Sequence, residues 1–83
     1  MLQFTGKIVH VGQVEEFGTK GFKKRIVVLA DQYNEIAFEL HKEQVNLIDE
    51  LDLSQTKTVS FYLRGRKVND RWFNTLLIHQ VSL

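Results

Sequence analysis

The chain contains no cysteine and no proline, a single tryptophan, and five glycines. Without cysteine it has neither disulfides nor thiolate metal ligands. Its fold therefore rests on packing alone, or on packing plus a partner subunit. Without proline, no strand or helix is interrupted by a fixed φ or a missing donor. No apolar run approaches the ~20 residues that a membrane-crossing helix needs. Met1-Leu2-Gln3-Phe4-Thr5-Gly6-Lys7 lacks the basic head and apolar centre of a secretory signal. A cytoplasmic protein with no membrane contact is the expectation.

Chemistry is equally sparse. Gly18-Thr19-Lys20-Gly21 fails the phosphate-loop pattern, which needs a longer gap between its glycines and a Ser or Thr after the Lys. His10, His41 and His79 are scattered without metal-ligand spacing. Ser54, Ser60 and Ser82 sit in no glycine-rich elbow. Asp49, Glu50 and Asp52 read as a solvated charge run. The expectation is a protein that is not an enzyme and has no metal site and no cofactor.

What is present is a single domain spanning residues 1–83, 43% hydrophobic and 25% charged. Such a composition argues against disorder, although a chain this short has a thin core. The formal net charge is only +1. Its distribution is uneven: Lys20, Lys23, Lys24 and Arg25 form one cationic cluster, and Arg64, Arg66, Lys67 and Arg71 form another. A local positive patch is compatible with a near-neutral total.

Residues 1–14 read as a first strand. Apolar positions change from even to odd numbers after Ile8, which marks a bulge or sharp coil near Gly6 or His10. Residues 13–21 read as a mobile loop. Residues 22–30 form a second strand that ends in the apolar run Ile26-Val27-Val28-Leu29-Ala30, buried on both faces or covered by a helix. Asp31-Gln32-Tyr33-Asn34 is a turn, and residues 35–41 form a third strand with Ile36, Phe38 and Leu40 on one side. Over residues 42–53 the period changes. Val45, Ile48 and Leu51 make the stripe of a short helix of two to three turns, joined by Leu47 and frayed by the acids near its end. Two β-rich runs, residues 58–67 and 72–83, close the chain as a hairpin around Val68-Asn69-Asp70-Arg71. Three strands, a helix and two strands match the all-β, five-stranded OB-fold barrel. A five-stranded SH3-like barrel is the structural competitor.

Binding of a nucleic-acid strand needs cations that follow phosphates and flat groups on which bases stack. Phe22, Trp72 and Phe73 are the first stacking candidates, with Phe38 and Tyr62 behind them. Lys20, Lys23, Lys24, Arg25, Arg64, Arg66, Lys67 and Arg71 are the candidate cations. OB-folds bind across their second and third strands, between the first hairpin loop and the last, and both cationic clusters fall at those loops. The competing assignment puts Trp72 in the core beside Phe4, Phe38 and Phe61. Glu39 is the contrary element: inside the barrel it needs a partner, and outside it repels phosphate.

Several stretches resemble bacterial single-stranded-DNA-binding proteins. Leu2-Gln3-Phe4-Thr5-Gly6-Lys7-Ile8 resembles their opening strand, Val59-Ser60-Phe61-Tyr62-Leu63-Arg64-Gly65-Arg66 their fourth, and Arg71-Trp72-Phe73-Asn74-Thr75 the start of their fifth. The chain is also similar to short bacterial OB-fold proteins in which Phe38-Glu39 and Arg71-Trp72-Phe73 sit in comparable places. It carries Asn34 and Glu35 where the single-strand binders place an exposed aromatic. The resemblance implies non-catalytic binding of single-stranded nucleic acid, DNA ahead of RNA, with little sequence preference. A homodimer or higher homo-oligomer is expected, because apolar first and last strands leave edges for a second copy. The alternative is a protein-interaction or assembly module on the same barrel.

Overall fold

Alternation of apolar and polar residues shapes the sheet. In a computed structural model, which describes residues 1–82, six strands form: β1 (Leu2–Val11), β2 (Glu15–Phe17), β3 (Phe22–Ala30), β4 (Glu35–His41), β5 (Lys57–Val68) and β6 (Arg71–Ser82). They run in the order β1-β5-β6-β4-β3-β2, and β1 also pairs with β3, so the sheet closes in a ring. Neighbours are antiparallel except β4 and β6, which run parallel where Glu39 meets Leu77.

One strand closes the ring by serving two partners. Residues Leu2 to Gly6 of β1 pair with Phe61 to Lys57 of β5, and Lys7 to Val11 pair with Ala30 to Val27 of β3. The exchange of partners falls at Gly6, where an added Cβ would lie 2.4 Å from the Ala30 carbonyl oxygen. The register then slips between Ile8 and His10, which is the bulge that the switch of apolar parity marked in the sequence.

The core lies inside the ring. Val27, Leu29, Phe38, Leu40 and Val59 are fully buried, and Ile78, Val45 and Ile48 nearly so. Phe38 is the centre, with the rings of Phe4 and Phe61 at 5.8 and 5.1 Å. Only alternate residues of the apolar run in β3 are fully buried, and Ile26, Val28 and Ala30 stay half-buried on its other face. The β3–β4 turn is fixed by Asp31, whose Oδ1 accepts from the amides of Tyr33 and Asn34 at 2.9 and 2.7 Å. These amides hold its carboxyl below the ordinary 3.8.

Two expectations are corrected. The loop over residues 13–21 contains β2, which pairs Glu15 with Lys24, Glu16 with Lys23 and Phe17 with Phe22; Gly18 and Gly21 reverse the chain at φ +73° and +66°. The helix over residues 42–53 is one 3-10 segment, Lys42–Asn46, followed by turns closed by i to i−3 bonds at Leu47, Asp49 and Leu51. The Arg25 guanidinium donates to the Val45 carbonyl at 3.0 Å, and the Asp49 amide, which an α-helix would direct to that carbonyl, donates to Asn46 instead at 3.1 Å. Val45 and Ile48 still plug the end of the ring. The final strand was placed over residues 72–83; β6 covers Arg71–Ser82, and Leu83 lies outside the described residues.

Two substitutions test the closure and the core. Gly6→Ala forces a methyl against the Ala30 carbonyl and should cost about 1 to 3 kcal/mol in urea denaturation. Lys57 is 1% exposed, with Nζ buried and without a hydrogen-bond partner among the described residues. Lys57→Met should therefore raise stability, by about 1 to 3 kcal/mol.

Candidate nucleic-acid interface

Strand phase sorts the candidate residues onto two faces. On β3, Val27 and Leu29 point into the core, so Phe22, Lys24 and Ile26 point outward and Lys23 and Arg25 share the inward phase. On β4, Phe38 and Leu40 are buried and Glu39 and His41 face outward. The β5–β6 ladder pairs Arg64 with Thr75, Arg66 with Phe73 and Lys67 with Trp72. Arg64, Arg66 and Phe73 thus share one face of that hairpin, and Lys67 and Trp72 the other.

The outward residues meet in a trough. One groove of about 450 Å³ is lined by Phe22, Lys24, Glu39, His41, Arg64, Gly65, Arg66, Phe73 and Thr75. A second hollow adjoins it at His41, Lys42 and Gln44. A third lies toward Lys20, Gly21 and Lys23. Phe22 lines all three, and its ring stands edge-on to His41 at 5.0 Å. Phe73, on the opposite bank, is 48% exposed.

Charge in the trough is partly neutralised. Glu39 Oε1 lies 2.8 Å from His41 Nε2 and 3.7 Å from Lys24 Nζ. Arg64 and Arg66 have no acidic partner within 4.0 Å among the described residues. They are therefore available to an incoming anion, and they stand beside an aromatic ring. Glu39 faces outward, and the Lys24 cation beside it answers part of the repulsion its charge would exert on phosphate.

The other candidates have different placements. Lys20 and Lys23 border the loop-side hollow, and Lys23 lies 4.0 Å from Glu16. Arg25 is a structural group: it donates to the Gly12 carbonyl at 2.8 Å, the Val45 carbonyl at 3.0 Å and Asp49 at 2.9 Å. Arg71 is at the hairpin tip. Lys67 sits over the Trp72 ring at 5.0 Å, on the face away from the trough. Trp72 is 73% exposed, which corrects its competing assignment to the core. The hairpin extends past the core there, so the ring reaches no buried side chain. Phe38 is core, and Tyr62 packs edge-on to His79 at 5.6 Å.

His41, Lys42 and Thr75 were not picked out as binding residues. His41 was readable from alternation, since it shares the phase of Glu39 and is the register partner of Lys24. Among the described residues no cluster of His, Asp and Glu has the arrangement to hold a metal. No helix among them is long and apolar enough to cross a membrane.

Residues 3–82 match the family described as a domain of unknown function, DUF3127, and the chain belongs to that family. No curated protein matches it.

Two variants separate structural from exposed groups. Arg25→Met should lower stability by about 2 to 3 kcal/mol, because it strips three acceptors of a charged donor. Trp72→Ala should change stability by no more than about 1 kcal/mol. Equal losses in thermal melts of the two would contradict these placements.

Proposed function

We propose that this chain is an OB-fold barrel that binds single-stranded nucleic acid, DNA ahead of RNA, along the trough and without catalysis. The observation that carries the reading is the convergence, on one outward face, of the Phe22 and Phe73 rings with Arg64 and Arg66, which have no acidic partner among the described residues. Apart from the short β2, the ring runs β1, β3, β4, β6, β5 and back to β1. With a plug between β4 and β5, that order supports the OB reading. The trough crosses β3 and β4 and ends at the loops where OB-folds take their ligands. Stacking on the two rings contributes about 1 to 3 kcal/mol per base. The arginines follow phosphate, so affinity depends on salt. The strand is coated along its backbone, and sequence matters little.

A homodimer or higher homo-oligomer belongs to the same reading. Met1, Leu2 and Leu63 are each more than half exposed, and β1 pairs with β5 only from Lys57 to Phe61. The outer edge of β5 beyond Phe61 is open to a second chain. A protein-interaction module is the second reading, favoured by Leu63 and Trp72 exposed on the hairpin face away from the trough.

The test is anisotropy titration of a labelled single-stranded oligonucleotide against salt, with sedimentation of the same sample to read its mass. Arg64→Ala and Arg66→Ala should each weaken binding and reduce the salt slope by about one, whereas Lys67→Ala changes little. Trp72 emission should stay nearly constant, since its ring is off the trough. Absence of binding at low salt would leave the protein-interaction module in its place.

A further inference from the structure

The groove of about 450 Å³ carries one acid, Glu39, and a cationic site for phosphate does not call for it. Glu39 stands on β4 between Ile26 of β3 and Leu77 of β6. Its Oε1 lies 2.8 Å from His41 Nε2 and 3.7 Å from Lys24 Nζ. Oε2 has no partner among the described residues. It is also not enclosed, because among the described residues Lys57 Nζ is the only buried side-chain polar atom without a hydrogen bond. One carboxylate oxygen is therefore held and the other is not, on a residue that lines the groove together with Phe22 and Phe73.

We propose that Glu39 selects bases bearing an exocyclic amino group (cytosine, adenine and guanine) over thymine and uracil. The inference rests on the reading of the trough as a single-strand site. A base stacked on either ring lays its edge toward the floor. Cytosine brings its N4 amine to Oε2, which accepts. Thymine brings O4 to the same place, where two acceptors face each other without a proton between them. His41, in the tautomer with hydrogen on Nε2, and Lys24 are positioning residues. They fix the carboxylate plane and reduce its repulsion of the phosphates that pass nearby. The result is a preference for base composition, superimposed on backbone binding.

The test compares oligo-dC with oligo-dT of about 12 nucleotides, a length within the usual OB-fold site size, by anisotropy at pH 8 and low salt. The two pyrimidines stack over similar areas, so their ratio isolates the base edge. The protein should bind oligo-dC about fivefold or more tighter. Glu39→Gln sharpens the test. Lys24 and His41 are both donors, so they hold the amide oxygen in the place of Oε1 and turn its NH2 outward. The open acceptor becomes a donor, and the ratio should fall to one or invert. Glu39→Ala, which removes both oxygens, should bring the ratio to one and serves if the Gln variant fails to melt cooperatively. Equal affinity of the wild-type protein for the two oligonucleotides, or a ratio that Glu39→Gln leaves unmoved, overturns the inference and leaves the strand-binding reading standing. Failure to bind either oligonucleotide overturns both.

Discussion

Strand β1 must pair with two different strands, and residue 6 is where it changes hands. Up to Gly6 it belongs to β5; from Lys7 it belongs to β3. At that point the backbone passes so close to the Ala30 carbonyl that no Cβ fits without a shift. Glycine is the residue that permits such an approach. Everything downstream depends on this exchange. It brings the β5–β6 hairpin and the β3–β4 hairpin to opposite ends of one strand, so the sheet curls and its last two members meet at Glu39 and Leu77. An open sheet would keep the core of Phe38 half wet and hold Phe22 far from Phe73.

The legible parts of this fold are those where a local pattern and the tertiary result agree. β3 and β4 read from the sequence with their observed limits, because Ile36, Phe38 and Leu40 alternate without a break and turn residues bound both strands. The last hairpin was readable because Asn69 and Asp70 tolerate the left-handed backbone they adopt, at φ +50° and +65°. The helix was misread because Val45, Ile48 and Leu51 are spaced by three, which 3-10 turns satisfy as well as an α-helix does. Acids at the C-terminal end of so short a segment weaken the α-helical alternative further. β2 was missed because three residues without apolar alternation carry no strand signal; it forms as the continuation of the hairpin that Phe22 begins.

The candidate site was legible in composition and less so in geometry. Both cationic loops were evident, but clustering in sequence hides phase. Lys23, Lys24 and Arg25 are consecutive, yet Lys24 alone faces the trough, Lys23 borders the loop and Arg25 ties the Val45 carbonyl to Gly12, just past the end of β1. Arg66 and Lys67 are likewise neighbours on opposite faces. Strict period-two counting from the buried Phe38 and Val27 would have made most of this division. It would not have shown that Arg25 is engaged, since that depends on where residues 45–49 come to lie.

Net charge is a poor guide to such a surface. A total of +1 conceals acids engaged away from the trough: Asp49 with Arg25, Glu16 near Lys23 and Asp70 near Lys67. Removing those pairs from the account leaves Arg64 and Arg66 on a groove whose one acid, Glu39, is itself flanked by Lys24 and His41, with Glu43 in the hollow that adjoins it. Exposed pairs contribute little to stability, but they decide which cations remain available. The hairpin that carries Arg64 and Arg66 projects beyond the core, with Gly65 between them on the bank of the trough. A glycine inside a strand weakens it. Gly65 nevertheless stands opposite Asn74 in a ladder paired without a break from Phe61 to Val68, so the bank that carries Phe73 keeps its register without a side chain at that position.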